Sequence, residues 1–277
     1  MVTLIVQWPH PSWQPKARVL CGSFALIYFN MIQETEIMLG SQSAALNNLS
    51  RPDGSAIYSQ GDTVMQAATY GPIQARYHKA YVDKAVVEVA YQPKITPRGC
   101  KEKNIERILR NTLENIIILS SFPRSVLSVT IQEVQNRGSL LSCSINAACL
   151  AIIDSGIPMK HTIAAVDAVL LEDGKIVVNP TSKEEKLAKA QFTLAFETVK
   201  FRLVTMNTCG RFTLKEFENC VEACRSAAGK VVDFYRSLIS RRFSKQKTSD
   251  MQHEVDRVSE TFHKNFNVNK EESEDSD

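Results

Sequence analysis

Two short segments of the chain carry residue types that could bind phosphate and a metal ion. The first spans residues 137–141 (RGSLL) and comes immediately before a helix-forming run of small residues. A glycine turn that opens a helix presents backbone N–H groups to an anion, and a nearby hydroxyl or guanidinium can strengthen that binding. The same turn could do no more than cap the helix. The sequence leaves both interpretations open.

The second segment spans residues 177–185 (VVNPTSKEE). Asn179 and Thr181 are neutral, and their amide and hydroxyl oxygens bind Mg²⁺ weakly compared with carboxylates. Glu185 could still contribute to a metal site. Ser182 followed three residues later by Glu185 also fits a capping box, in which Glu185 closes a helical turn. We favour the capping role.

The remaining reactive side chains form no competing site. The five histidines show neither metal-ligand spacing nor an obvious nucleophile partner, and the chain has no Walker-type loop and no Gly-x-Ser-x-Gly elbow. The seven cysteines lack zinc-knuckle spacing, which favours core packing in a reducing compartment. They are Cys21, Cys100, Cys143, Cys149, Cys209, Cys220 and Cys224.

The elements that must position these segments are readable from hydrophobic periodicity. Alternation predicts a strand over residues 82–91, with Val87, Val89 and Tyr91 on one face. Further strands are predicted over residues 57–60, 63–70, 125–135, 192–197 and 201–206, with a hairpin over 162–178. Helices are predicted over residues 102–119, 139–155 and 214–242. This order predicts an α/β or α+β unit, with sheets packed on helices.

Composition is typical of a soluble globular protein, with 44% hydrophobic and 23% charged residues among 277. Residues 246–277 carry a net charge of −5 and residues 1–245 about +8. A basic body suits a polyanionic partner, although solubility alone could explain the imbalance. We expect residues 1–42 to be a poorly ordered extension or a start-site artefact. Residues 245–277 are expected to be a disordered tail or a marginal helix.

Several motifs in order give the chain a resemblance to a known family. They lie at residues 49–56 (LSRPDGSA), 60–63 (QGDT), 70–72 (YGP), 107–113, 138–148 and 179–185. Over residues 43–244 the chain resembles the RNase PH family. The resemblance implies a single RNase PH-like domain of the ribosomal protein S5 domain 2-like fold.

The resemblance also identifies what the candidate site lacks. Active members degrade RNA from its 3′ end with phosphate as the nucleophile, using an arginine at the helix N-terminus and carboxylates for a divalent metal. The matching positions here are Gly138, Ser139 and Leu140, then Asn179 and Thr181, with Glu185 at a third acidic position. Loss of the cation and two acids removes about several kcal/mol of transition-state stabilisation for each group. We therefore expect no phosphorolysis, no metal and no cofactor.

Members of this family build hexameric rings, so the resemblance implies a ring subunit of the RNA exosome. Its implied partners are other RNase PH-like subunits, the cap subunits, associated nucleases and RNA. The implied location is the nucleus and nucleolus, and also the cytoplasm, with no membrane association. Arg98, Lys101, Lys103, Arg107 and Arg110 are candidate RNA contacts, although they could form a solvated helix face.

Two other hypotheses remain open. The chain could be a homo-oligomeric phosphorolase or nuclease that uses Ser139, Glu185 and a nearby acid such as Asp167 or Asp173. It could also be a free RNA-binding module that joins no ring. A phosphorolysis assay separates the first from a structural role, and the native mass separates the second.

Overall fold

The structure, a computed structural model, describes residues 39–76, 80–95 and 99–274, with side chains described as far as residue 244. The described residues belong to one compact unit. Its strands are β1 (Gln42–Leu46), β2 (Gly54–Gln60), β3 (Thr63–Gln74), β4 (Val86–Gln92), β5 (Ser125–Gln135), β6 (Ile163–Leu171), β7 (Ile176–Val178), β8 (Ala188–Glu197) and β9 (Leu203–Gly210). Its helices are α1 (Cys100–Ile116), α2 (Leu140–Ser155), α3 (Ser182–Leu187) and α4 (Leu214–Glu274), with a 3-10 turn at Leu119–Ser121.

The first sheet has five strands in the order β1-β2-β3-β5-β4. Its strands are antiparallel except for β4 and β5, which are parallel and are joined through α1. The predicted alternation in β4 is confirmed, because Val87, Val89 and Tyr91 are all buried. The predicted start at residue 82 is wrong. Strand β4 begins at Val86, which pairs with Val126 near the start of β5, and Tyr81 and Val82 are exposed before it.

The second sheet has four antiparallel strands in the order β7-β6-β8-β9. Strands β6 and β7 form the predicted hairpin, with Gly174 at positive φ in its turn. Strand β6 is buried along almost its whole length, as expected for a central strand covered on both faces. It carries one buried charged residue, Asp167.

Helix α2 occupies the centre of the unit and packs against β2 and β3 of the first sheet and β6 of the second. Its alanines, serines and cysteines allow this close approach. At Gly54 in β2, an added Cβ would lie 2.4 Å from the carbonyl oxygen of Ala151. Every α2 residue from Ser142 to Ile152 is buried. The helix therefore joins the cores of the two sheets.

Helix α4 lies against the second sheet and buries a stripe that includes Cys220, Cys224, Val231 and Tyr235. The backbone continues as helix to Glu274, beyond the predicted end at residue 242 and through most of the segment that was expected to be a disordered tail or a marginal helix. No glycine or proline follows Gly229, so the sequence contains no strong helix-stopping residue there. In the part of the chain that the structure describes, no helix is long and apolar enough to cross a membrane.

The observed architecture is mixed α/β, as predicted, and strand β5 has the predicted bounds. Strand β1 was not predicted, and α1 begins two residues earlier and ends three residues earlier than expected. Strand β1 begins at Gln42, inside the segment 1–42 that was expected to be a poorly ordered extension, and residues 1–38 lie outside the described residues. The differences in α1 lie at its ends, where pairing partners and caps decide the boundary rather than periodicity.

Candidate functional site

The two segments singled out in the sequence meet at the N-terminus of α2. The backbone N–H of Ser182 donates to the carbonyl oxygen of Arg137 at 2.7 Å. The hydroxyl of Thr63 donates to the carbonyl oxygen of Gly138 at 2.6 Å and accepts the N–H of Arg137 at 3.0 Å. Strand β3 and the turn before α3 therefore hold the 137–141 segment from both sides.

Gly138 and Ser139 form a tight turn that leads into α2. Both have positive φ, at +124° and +52°. A Cβ on Gly138 would lie 2.4 Å from the carbonyl oxygen of Pro180, so only glycine fits there. Ser139 is 1% exposed, and its hydroxyl donates to the same carbonyl at 3.1 Å. The hydroxyl of Ser139 is therefore bound within the protein.

Leu140 is the first residue of α2 and packs, half-buried, against the hydrophobic core. The resemblance places an arginine at this position in active relatives. A leucine side chain supplies neither charge nor hydrogen bonds to an anion. The turn therefore has no cation at residue 140.

The predicted capping box of Ser182 and Glu185 is wrong by one residue. The N-cap of α3 is Thr181, and both its N–H and its hydroxyl donate to Glu184 Oε2, at 2.7 and 2.8 Å. Glu185 instead accepts the backbone N–H of Ser139 through Oε1 at 2.7 Å. Glu185 thus caps α2 through Ser139, which lies 46 residues earlier in the sequence.

Asn179 has a structural contact that a carboxylate could not make. Its Nδ2 donates to the carbonyl oxygen of Leu39 at 2.9 Å, and its backbone N–H donates to that of Asp167 at 2.8 Å. Its φ of +57° lies in the left-handed region that asparagine tolerates. An aspartate at this position would offer no donor to Leu39.

Asp167 lies on β6 directly beneath the first turn of α2. Its Oδ2 accepts the N–H and the hydroxyl of Ser142, at 3.2 and 2.8 Å. Burial raises the pKa of Asp167 from 3.8 to about 6, and the charge of Glu185 adds to the rise, although the hydroxyls of Thr193 and Ser142 oppose it. Its Oδ1 makes no hydrogen bond of standard geometry within the described residues, although Thr193 faces Asp167 from β8.

The two acids named for the enzymatic alternative thus differ in location. Asp167 is 7% exposed and bound to α2, whereas Asp173 is exposed in the β6–β7 turn. No cluster of three or more histidine, cysteine, aspartate or glutamate side chains suited to a metal ion occurs among the described residues. The candidate site contains Ser139, Asp167 and Glu185 close together, with their polar atoms largely committed to internal bonds.

The buried cysteines belong to the core. Cys143, Cys149, Cys220 and Cys224 are all free and buried. Burial raises the pKa of Cys143 to about 12 and that of Cys149 to about 11. The reactive thiolate form is therefore disfavoured at both positions.

The predicted RNA contacts lie on α1 and in the loop before it. Arg98 falls outside the described residues. Lys101, Lys103, Arg107 and Arg110 are exposed, and Arg107 Nη2 donates to Asn104 Oδ1 at 2.9 Å. Lys103, Arg107 and Arg110 are spaced so that they share one helical face. Their contact with RNA remains a prediction.

A second basic edge, which the sequence reasoning missed, lies where β3 ends and β5 begins. Arg124 accepts the N–H of Ala75 and donates its own N–H to Tyr81, each at 3.1 Å. Lys84 lies over the Tyr81 ring, 5.5 Å from its centre, and Arg76, Lys84 and Arg124 are all exposed. The interleaved basic and aromatic residues of 76–84 (RYHKAYVDK) were the available signal.

Known proteins match this chain along most of its described length. The model described as 3′ exoribonuclease family, domain 1 matches residues 41–158, and that of domain 2 matches residues 161–227. An exosome complex exonuclease RRP46 homolog of Arabidopsis thaliana is 38% identical over 216 residues, covering 72% of this chain and 90% of that protein. The homolog from rice (Oryza sativa subsp. japonica) is 33% identical over 216 residues, covering 72% and 91%.

Solved structures agree with these matches. The crystal structure of rice Rrp46 matches with a TM-score of 0.71 and 36% identity, covering 74% of this chain and 96% of that one. A chain of the Archaeoglobus fulgidus exosome with RNA bound to the active site matches with a TM-score of 0.62 at 18% identity, covering 71% and 88%, which shows a shared fold. With two domain models in sequence and relatives matched over nine-tenths of their length, the chain belongs to the RNase PH family of 3′ exoribonucleases.

Proposed function

We propose that this chain is a non-catalytic ring subunit of the RNA exosome. It would complete a hexameric ring with other RNase PH-like subunits, help to hold cap subunits and nucleases, and line the path of RNA. It would thereby support 3′-to-5′ processing and degradation, including rRNA maturation, in the nucleus, nucleolus and cytoplasm. The support is its similarity to proteins named as RRP46 homologs and exosome components.

The non-catalytic part of the proposal depends on one observation: the polar groups left at the candidate site are already bound within the chain. Glu185 binds Ser139 N–H, the Ser139 hydroxyl binds Pro180, and Asn179 binds Leu39. Phosphorolysis needs cations for phosphate and carboxylates for a metal. Leu140, Asn179 and Thr181 supply neither.

The activity test uses the purified chain with inorganic phosphate, Mg²⁺ and end-labelled RNA. We expect no release of nucleoside diphosphates above a reaction without phosphate. An active member of the family serves as the positive control. Phosphate-dependent release that disappears on Glu185→Ala would instead support the homo-oligomeric phosphorolase.

The assembly test asks whether the chain needs related neighbours. In a ring of different subunits each chain offers two unlike faces, so its stability should depend on partners. We expect homo-oligomers or aggregates from the isolated chain and a defined complex when it is co-expressed with another RNase PH-like subunit. Size-exclusion chromatography with light scattering measures this. A stable monomer that ignores related subunits in pull-downs would favour a free RNA-binding module.

The RNA contacts can be tested within the assembled complex. One variant replaces Lys103, Arg107 and Arg110 with glutamate, and a second replaces Arg76, Lys84 and Arg124. Contacts to phosphate make affinity salt-dependent, so a variant that removes real contacts should bind RNA more weakly and with a shallower salt slope. Crosslinking to thiouridine-labelled RNA identifies which surface is used. A variant with unchanged affinity and salt slope excludes its surface.

A further inference from the structure

Two carboxylates from separate elements bind the first turn of α2. Glu185 Oε1 accepts the N–H of Ser139 at 2.7 Å, and Asp167 Oδ2 accepts that of Ser142 at 3.2 Å. The start of a helix carries a partial positive charge, and its first N–H groups have no partner within the helix. Both features favour an anion, and here the anions belong to the chain itself.

Placing these two acids together is unfavourable unless the helix start offsets their repulsion. The two carboxylates accept N–H groups that lie three residues apart in the same turn, and the negative charge of Glu185 adds to the burial that raises the pKa of Asp167. Asp167 is also buried with Oδ1 lacking a hydrogen bond of standard geometry among the described residues. Glu185 is half-buried, so its charge costs less at this position than the charge of the buried Asp167.

Glu184 provides an internal comparison because it is adjacent in sequence and lies on the same short helix. Its carboxylate binds Thr181 and caps α3 itself. The Glu185 carboxylate does not cap α3 and instead accepts the N–H of Ser139 at the start of α2. Two neighbouring glutamates thus perform different tasks, one local and one between elements.

We propose that Glu185 is an internal anion, meaning that its carboxylate occupies the position at the start of α2 that an external oxyanion would otherwise take. An intramolecular group has a high effective concentration at its site, so a free oxyanion in solution competes poorly with it. The contact closes the turn and joins α3 to α2. This inference deepens the proposed non-catalytic function and rests on it, because a chain that needed phosphate could not keep this turn occupied.

The test measures the response of thermal unfolding to inorganic phosphate. The full chain is used, in complex with a ring partner if it needs one for solubility. Melting temperatures of the wild type, Glu185→Ala and Glu184→Ala are compared in phosphate and in chloride of equal ionic strength. Glu185→Gln serves as a second variant, since it keeps the size of the side chain if the alanine variant does not fold.

We expect phosphate to raise the melting temperature of the wild type only by the general effect of a kosmotropic salt. Glu185→Ala should melt about 3 °C lower in chloride, the shift that a loss of about 1 kcal/mol gives in a protein of this size, and should recover part of it in phosphate. Glu184→Ala should also melt lower, because it loses a cap, but phosphate should raise its melting temperature no more than it raises that of the wild type.

Two results would overturn the internal-anion assignment. One is a wild type that phosphate stabilises as much as it does Glu185→Ala, and the other is a Glu185→Ala variant that ignores phosphate. Ring assembly and phosphorolysis have separate readouts. A failure here in a chain that still assembles and does not cleave RNA would therefore leave the proposed function standing.

Discussion

At the scale of single residues, Asp167 should govern part of the pH dependence of stability. Its pKa is about 6 in the folded protein against 3.8 as the ordinary value, chiefly because the carboxyl is buried. Folding therefore favours the protonated form. The stabilisation that protonation provides is complete below about pH 4 and is lost as the pH rises through about 6.

Asp167→Asn should accordingly stabilise the protein at neutral pH, because the amide is neutral and its oxygen can still accept from Ser142. The rise in the pKa of Asp167 from 3.8 to about 6 corresponds to at most about 3 kcal/mol in the free energy of unfolding. We expect a gain of about 1–3 kcal/mol at pH 7.5 that shrinks towards pH 4, measured by urea denaturation. Asp173→Asn, at an exposed position, is the control and should show no such trend. A less stable Asp167→Asn at pH 7.5 would contradict this account.

Asn179→Asp tests whether a carboxylate at this position lowers the stability of the protein. The change keeps the shape of the side chain but replaces the donor to Leu39 by an acceptor, which leaves a carbonyl oxygen unpaired beside a negative charge. We expect a loss of about 1–3 kcal/mol in the free energy of unfolding. No phosphorolysis should appear, since Leu140 still supplies no cation.

Asn136→Asp is the matched control for that substitution. Asn136 Oδ1 accepts the N–H of Gly138 at 3.1 Å, and an aspartate oxygen can do the same. Its stability should change by less than about 0.5 kcal/mol, as is usual for surface substitutions. Equal losses in the two variants would show that the donor to Leu39 contributes little.

At the scale of elements, the turn between β5 and α2 must pass very close to the turn before α3. Gly138→Ala would place a Cβ 2.4 Å from one backbone oxygen and 2.8 Å from the Ser182 nitrogen. Gly174→Ala shares a positive φ but meets nothing within 4 Å, so it carries only the backbone strain. We expect a loss of about 1 kcal/mol for Gly174→Ala and more than about 3 kcal/mol for Gly138→Ala. Urea midpoints measure both, and similar losses would argue against the close approach.

The elements themselves were largely predictable because their periodicity is local. Strand β5 and helix α2 follow from residue types that recur within one segment, and so does the β6–β7 hairpin. The N-cap residue of α3 was not predictable, because Thr181 and Ser182 are both suitable N-caps and each has a glutamate three residues later. The partner of a capping residue decides between them only in three dimensions.

The contents of the site were predictable only in part. The missing charges at residues 140, 179 and 181 follow from resemblance alone. The hydrogen-bond partners of Asn179 and Glu185 could not be predicted, since they lie 140 and 46 residues away in sequence. Asp167 lies in a strand that is otherwise apolar and resembles a simple core segment, so its contact with Ser142 gave no local signal.

At the scale of the whole molecule, helix α4 is tied to the core near residue 242 and continues beyond it. Arg242 forms an ion pair with Asp154, whose side chain is 3% exposed and also accepts the N–H of Ser55 at 2.9 Å. Removing residues 246–277 keeps this pair, so the melting temperature should change by less than about 2 °C. Removing residues 241–277 leaves the Asp154 side chain buried without its cation. This truncation should lower the melting temperature by more than about 5 °C.

Arg236→Ala is the control for that comparison, because Arg236 pairs with Asp233 at the surface, where both side chains are exposed. Surface pairs of this kind contribute little. Differential scanning calorimetry of the two truncations and of this variant decides the matter. Equal melting temperatures for the two truncations would mean that the Asp154 pair does not hold the helix in place.

The position of α2 between the two sheets bears on how the protein unfolds. The two family models divide the chain between residues 158 and 161, yet α2 belongs to the first and packs against β6 in the second. Separating the halves would expose one whole side of a helix buried from Ser142 to Ile152. The halves should therefore lose structure in one cooperative step, and the amides of α2 should exchange with deuterium only when the entire unit opens.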